Sequence, residues 1–199
     1  MKEFKIRCSA IGKIMPNSRT KGQLSKTTKA YLEAHAIESM YGYSKDVWSK
    51  AIDKGIAVEN DSIKLAEEVL KKGKMYKNEQ YFENEYLTGT PDVLNDDFVL
   101  DVKTSLDATT FPWFKKDIPN KDYYYQLQGY MELTGRRKAY LVYCLVDTPS
   151  DIVEDEVRRV HYKLKEIDDN PIVRNAVEMQ HNFDRVPKEH RIKCYEIDY

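Results

Sequence analysis

The run from 98 to 103, FVLDVK, alternates in a way that predicts a β-strand with two unlike faces. One face is wholly apolar, whereas the other places Asp101 and Lys103 after Val99. Burying a charged pair on an otherwise apolar strand does not help that strand to fold. The pattern therefore predicts that Asp101 and Lys103 serve chemistry rather than stability.

The rest of the hydrophobic pattern predicts the order helix, β-meander, helix, strand and further helices. Helices are predicted over 9–15, 25–41, 47–71 and 121–134, and after the capping residues Ser150 and Asn170. Strands are predicted over 76–83, 86–94, 98–104 and 138–146, with an edge strand over 191–197. The expected fold class is α/β, with a mixed sheet of about four or five strands and helices on both faces.

The segment 47–71 is the longest helical signal. At helical spacing, one stripe about 80° wide contains Glu59 among apolar residues, namely Ile52, Ile56, Ile63, Ala66 and Leu70. An unpaired carboxylate on a buried face would cost several kcal/mol. Glu59 is therefore predicted to meet a metal or a hydrogen-bond donor. The alternatives are a partly exposed Glu at the end of the stripe and a Glu paired with a core Lys.

Length and composition suggest one soluble domain. The 199 residues are 41% hydrophobic, and neither a long apolar run nor a signal peptide is apparent, so we expect no membrane segment and a cytoplasmic location, bacterial or in a phage-infected cell. Three scattered cysteines argue against a disulfide framework. The single domain over 1–199 is expected to comprise a basic helical part over about 1–45, a core over about 46–146 and C-terminal helices over about 150–199.

Charge is distributed unevenly along the chain, although the net charge is only −1. From Phe4 to Leu32 there is no acidic residue, whereas seven Lys and Arg residues occur there. This asymmetry predicts an anionic partner for the N-terminal part. The alternative is a solvated basic face without a ligand.

A hairpin through 86–104 brings a second carboxylate towards Asp101. If Asn95, Asp96 and Asp97 form the turn, Asp92 lies opposite Leu100 and diagonal to Asp101. Two carboxylates at that separation repel unless a cation lies between them, and oxygen ligands favour Mg²⁺ or Mn²⁺. An acid-x-Lys tripeptide alone is a weak signal, and its conjunction with Asp92 and Glu59 makes it specific.

These motifs resemble a known nuclease superfamily. "GTPD" and "DVKTS" resemble the PD-(D/E)XK signature, "KGIAVEN" is similar to its first motif, and "QLQGY" resembles the Gln-x-x-x-Tyr of the RecB-like branch. The order of the motifs over roughly 7–146 resembles the phage lambda exonuclease and YqaJ-like group. The resemblance implies a restriction-endonuclease-like mixed β-sheet flanked by helices.

The resemblance also implies roles for individual residues. The catalytic residues would be Glu59, Asp92, Asp101 and Lys103, and the metal ligands Glu59, Asp92, Asp101 and the Val102 carbonyl. A site for DNA and its 5′-phosphate would include Arg7, Ser9, Thr90, Gln126 and Tyr130. For the arginine of that site, Lys2 and Lys5 are candidates beside Arg7.

The function implied is a magnesium-dependent 5′-3′ exonuclease that degrades linear double-stranded DNA in recombination. Implied partners are DNA, a single-strand annealing protein and further copies of the chain in a ring. One alternative is a non-catalytic DNA-binding or recombination accessory protein on the same scaffold. Another is a CRISPR-associated RecB-like nuclease without an iron–sulfur cluster, because three cysteines do not supply four thiolate ligands.

Overall fold

A computed structural model describes residues 4–44, 49–165 and 169–199. Within these ranges no helix combines the length and the apolar character needed to cross a bilayer. The strands are β1 Ile6–Arg7, β2 Phe82–Glu83, β3 Leu87–Gly89, β4 Val93–Leu94, β5 Val99–Thr104, β6 Lys138–Cys144 and β7 Ile192–Asp198. The α-helices are α1 Ile11–Ile14, α2 Lys26–Tyr41, α3 Lys50–Ala57, α4 Glu59–Leu70, α5 Lys121–Thr134, α6 Ser150–Leu164 and α7 Pro171–His181.

The main sheet is mixed and has the strand order β4-β5-β6-β7. β5 and β6 run parallel, with α5 in the connection between them, whereas β4 and β7 are antiparallel to their neighbours. A smaller sheet has the order β1-β3-β2. The predicted edge strand near the C-terminus is confirmed as β7.

Helices cover both faces of the main sheet, because successive residues of β5 point to opposite sides. On one side Leu100 packs with Ile63 and Ala66 of α4. On the other side Val99 packs with Leu127 and Met131 of α5. The predicted α/β fold, a mixed sheet between helical layers, is confirmed. Asp101 and Lys103 share the orientation of Val99 and therefore face the α5 side.

The predicted single helix over 47–71 is wrong, and its first residues, 47 and 48, lie outside the described residues. The helix is interrupted at Val58, whose φ of −116° and ψ of 19° leave the helical region. The interruption shifts the phase of α3 relative to α4. Ile52 and Ile56 are consequently exposed, at 41% and 72%, whereas Ile63 is buried. The proposed stripe therefore holds only within α4.

Two predicted strands are shorter than expected. Of 76–83, only Phe82–Glu83 is a strand, and Lys77 makes an isolated bridge with Val93. The segment 86–94 is divided into β3 and β4, which belong to different sheets. Pro91 lies at the division, where it has no N–H to donate to a ladder.

The predicted hairpin register is also wrong, by one residue. The turn contains only Asp96 and Asp97, because the N–H of Asn95 donates to the carbonyl of Phe98 at 3.0 Å and closes a tight hairpin. Val93 therefore pairs with Leu100. The next position along the hairpin brings Asp92 level with Asp101 instead of diagonal to it.

Other boundaries are close to the predictions. Ser25 caps α2 by accepting a hydrogen bond from the N–H of Thr28, and Gly42 ends that helix with a positive φ of 76°. Asn170 caps α7 in the same way. Ser150 lies inside α6 instead of capping it, since the helix begins directly after Pro149. The predicted helix over 9–15 is a 3₁₀ turn, Cys8–Ala10, followed by α1.

Candidate active site

Asp101 and Lys103 form an ion pair on β5 in which the carboxylate is buried and the lysine is half-buried. Asp101 is 1% exposed, and its Oδ2 lies 2.7 Å from Nζ of Lys103. The other oxygen, Oδ1, accepts a hydrogen bond of 2.9 Å from Nε2 of Gln126. Oδ2 receives no well-aligned hydrogen bond from the described residues, so Lys103 touches it as a charge rather than as an oriented donor. Asp101 is thus held at both oxygens, by Gln126 on one side and by Lys103 on the other.

Gln126 and Tyr130 lie one turn apart on α5 and face the same carboxylate. Nε2 of Gln126 donates to the Tyr130 hydroxyl at 2.9 Å as well as to Asp101. Tyr130 also packs against the segment before Asp92, because a Cβ on Gly89 would lie only 2.7 Å from its ring. A glycine at position 89 thus lets the chain pass close to α5.

Asp92 reaches the site from the other strand of the hairpin. It follows Pro91, and its Oδ2 accepts a hydrogen bond of 2.7 Å from the backbone N–H of Val102. This bond replaces a ladder bond at the end of β4 and fixes the carboxylate beside β5. Asp92 and Asp101 are thereby held on neighbouring strands at the same level.

The two aspartates and Lys103 perturb one another. Burial raises the pKa of Asp92, and the neighbouring Asp101 and Glu59 carboxylates raise it further. Burial likewise raises the pKa of Asp101 despite the opposing charge of Lys103. Burial acts most strongly on Lys103 and lowers its pKa, but the neighbouring acidic groups, Asp101 and then Asp92, together outweigh burial and raise the pKa of the ammonium group. The lysine thus stays protonated among acids that resist full ionisation.

Glu59 approaches the same place from the opposite helical layer. It is the first residue of α4, and it lines a cavity of about 560 Å³ together with Asp92 and Lys103. Its Oε2 forms an ion pair of 2.7 Å with Nζ of Lys77. The structure therefore brings all four predicted catalytic residues to one region, with Glu59 at its more exposed side.

The donors suit a hard divalent cation, although they are not yet grouped around one point. In the part of the chain that the structure describes, no three His, Cys, Asp or Glu side chains already form a metal cluster. Three carboxylates face two lysines, and one buried oxygen of Asp101 lacks an aligned donor. All-oxygen donors with excess negative charge fit Mg²⁺ or Mn²⁺ better than zinc.

Solved structures with a similar fold include two exonucleases. A phage-related exonuclease from Haemophilus somnus 129PT matches with a TM-score of 0.80 and 25% identity over 98% of this chain and 85% of its own. The alkaline exonuclease LHK-Exo from Laribacter hongkongensis matches with a TM-score of 0.62 and 16% identity over 98% of this chain and 77% of its own. A second structure of LHK-Exo, in complex with dAMP, gives a TM-score of 0.61.

One of these structural neighbours is a phage-related exonuclease and the other is an alkaline exonuclease. The resemblance to the lambda exonuclease and YqaJ-like group of PD-(D/E)XK nucleases is thereby confirmed, and the likeness to the phage-related exonuclease supports a nuclease. No protein-family model matches the chain, and no curated protein matches it.

A buried lysine behind the cavity escaped the sequence analysis. Lys54 of α3 is 0% exposed, and its Nζ donates to the carbonyls of Ser105 and Leu106 at 2.8 and 2.9 Å. Burial lowers its pKa to about 8. Lys54 lies one turn before the buried Val58, and this spacing is the signal that could have placed it on the inner face. It ties α3 to the end of β5.

The predicted 5′-phosphate residues lie in two places. Gln126 and Tyr130 are buried beside Asp101. Arg7 and Ser9 are exposed and line a separate groove of about 950 Å³ between the N-terminal segment and α2. Thr90 is half-buried just before Pro91. The structure thus assembles the catalytic candidates, whereas the phosphate site stays a prediction.

Proposed function

We propose that this protein is a metal-dependent deoxyribonuclease that digests linear double-stranded DNA from its ends, in the 5′-3′ direction. The proposal is supported by a cavity that Glu59, Asp92 and Lys103 line, and by the ion pair of Lys103 with the buried Asp101 behind it. The fold shared with exonucleases supports the same conclusion.

The carboxylates are the groups that would hold a divalent cation, with the Val102 carbonyl as a further oxygen donor. When bound, Mg²⁺ or Mn²⁺ would neutralise phosphate charge and make a water molecule more acidic. The backbone N–H of Val102 fixes Asp92, and Gln126 fixes Asp101, so both carboxylates are oriented before a substrate arrives.

Lys103 provides the positive charge of the site. Its raised pKa keeps the ammonium group protonated at neutral pH. The group also lies over the ring of Tyr123, 4.7 Å from the centroid, which restricts its position. A fixed ammonium group next to the scissile phosphate would stabilise the negative charge that develops during attack by water. Hydrolysis of this kind needs no covalent intermediate.

Exposed basic residues of the N-terminal part would bind the DNA backbone. Lys13 already pairs with Asp122, whereas Arg7 has an exposed side chain beside the groove. Contacts of this kind read no sequence and weaken steeply with salt. The proposal extends to a ring of several copies around DNA and to a single-strand annealing partner in recombination, both of which follow from the resemblance.

The test compares linear, nicked and closed-circular duplex DNA, with and without Mg²⁺. Wild-type protein should digest linear DNA only when Mg²⁺ is present, and Lys103→Ala should reduce the rate by at least about 10³-fold. Lys116→Ala, which changes an exposed lysine, is the control and should keep full activity. Equal cutting of closed circles would contradict end-dependent digestion. If the wild-type protein cuts none of these DNA molecules, the proposal that it is a nuclease is wrong.

A further inference from the structure

Lys77 brings a second ammonium group to the acidic cavity. Its Nζ lies 2.7 Å from Oε2 of Glu59, and the two side chains are 42% and 24% exposed. Its backbone is fixed there, because Lys77 makes an isolated bridge with Val93 and the N–H of Asn78 donates to the carbonyl of Asp92 at 2.8 Å. The position of this lysine is therefore set by the sheet, next to a predicted metal ligand.

Each of the two lysines pairs with a different carboxylate. Lys103 contacts Asp101, Lys77 contacts Glu59, and Asp92 accepts its hydrogen bond from the backbone. With Glu59 turned to Lys77, the three carboxylates do not converge on one point among the described residues. The Glu59 carboxylate therefore already has a cationic partner, which a divalent cation would have to replace.

We propose that Lys77 is a displaceable cation that competes with the divalent metal for Glu59. The inference rests on the proposed function, since it concerns the metal of that same site. In the metal-free protein the ion pair offsets the charge of Glu59. On metal binding the carboxylate exchanges one cationic partner for another, and the Lys77 ammonium group is released at the edge of the cavity.

The partial exposure of the Lys77–Glu59 ion pair limits how much Lys77 can weaken metal binding. Partly exposed ion pairs contribute up to about 1 kcal/mol, which corresponds to about fivefold in an equilibrium constant. Coordination of a divalent cation by three carboxylates is stronger than that, so Lys77 would weaken metal binding without preventing it. A variant without the ammonium group should therefore bind metal about two- to fivefold more tightly.

A matched control lies on the same segment. Lys74, three residues before Lys77, pairs at 2.9 Å with Glu67, which lies about two helical turns after Glu59 on α4. Isothermal titration with Mn²⁺ in the absence of DNA should give tighter binding for Lys77→Gln and an unchanged constant for Lys74→Gln. Glu59→Gln should weaken binding, and the effect of Lys77→Gln should vanish in the Glu59→Gln background.

The outcomes separate this inference from the proposed function. If the wild type binds no Mn²⁺, the proposal of a metal-dependent nuclease is wrong, and the inference about Lys77 is wrong with it. If the wild type binds Mn²⁺ but Lys77→Gln binds it equally or more weakly, the inference alone is overturned. A gain that persists in the Glu59→Gln background would also overturn it, because the competition would then not involve Glu59.

Discussion

The acidic cavity and the N-terminal groove use charge in opposite ways. The groove is the larger, at about 950 Å³ against 560 Å³, and Lys5 and Arg7 line it near the solvent. At the cavity, the half-buried Lys103 pairs with the buried Asp101, which also accepts a hydrogen bond from Gln126. An exposed charge has little effect on the free energy of unfolding, whereas a buried charge lowers it unless the charge is paired. The smaller region therefore carries the stronger indication of function.

The groove is also held together by few buried side chains. Thr28 is the buried residue of the 16-residue helix α2 that forms one wall. The contacts of α2 with the N-terminal segment include the ring of His35, whose centroid lies 4.7 Å from that of Phe4. A wall held by few buried side chains tolerates substitution, and changes there should affect binding more than folding. The following predictions test this contrast.

The largest effect is expected for Asp92→Asn in the cavity. The amide oxygen can still accept the hydrogen bond from Val102, but a ligand charge is lost, so digestion of linear DNA should fall by at least about 10³-fold. The repulsion from Asp101 is also lost, so the free energy of unfolding should rise by on the order of 1 kcal/mol. Activity assays and urea unfolding measure the two quantities.

The control for Asp92→Asn is Asp97→Asn in the exposed hairpin turn, which should change neither quantity. A fall in stability with Asp92→Asn would show that this carboxylate is not a strained group, and the contrast between the two regions would lose its basis.

A second effect concerns the buried Lys54 behind the cavity. Its pKa in the folded protein is about 8, below the ordinary value of 10.5. At pH 7 Lys54 is protonated in both the folded and the unfolded state, so the full free-energy cost of burying its charge is present. Between pH 8 and 10.5 the folded state loses its proton first, so stability relative to Lys54→Met should rise, by at most about 3 kcal/mol. Urea unfolding of both proteins at pH 7, 9 and 10.5 checks this.

A difference between wild type and Lys54→Met that stays constant with pH would contradict the prediction for Lys54. Lys50→Met is the matched control on the same helix, since Lys50 pairs with Glu156 near the surface.

A smaller effect on the reaction is expected for Gln126→Leu. Asp101 loses the donor to its Oδ1 and Tyr130 loses its partner, so the carboxylate is less well oriented. The turnover rate on linear DNA should fall about tenfold. Gln128→Leu on the same helix is the control, because that amide donates to the carbonyl of Asp198, away from the cavity. Equal losses for both variants would indicate damage to α5 itself.

The smallest effect is expected in the groove, for Arg7→Ala. The DNA affinity should fall about two- to fivefold, and the slope of log K against log salt should decrease by about one, with turnover unchanged. Lys163→Ala on α6 serves as a control of equal charge change. Binding titrations at several salt concentrations check both. A loss of turnover without a change in salt slope would mean that Arg7 acts in catalysis, and the two regions would not be distinct.

Several elements were predictable because their signals are local. Helix α5, strands β5 and β6, and the caps at Ser25 and Asn170 follow from periodicity and capping chemistry. The break at Val58 was not predictable, since nothing in that residue interrupts a helix. The exposure of Ile56 follows from that break and was therefore missed.

The sequence by itself determined which side chains could do chemistry. Alternation on β5 put Asp101 and Lys103 on one face, and the order of the motifs indicated Glu59 and Asp92. Only the tertiary structure decided which atoms meet: the one-residue register that levels Asp92 with Asp101, the turn of Gln126 towards Asp101, and the pairing of Glu59 with Lys77. The reason is physical. Local periodicity fixes the direction of a side chain, whereas its partners depend on contacts between segments distant in the chain.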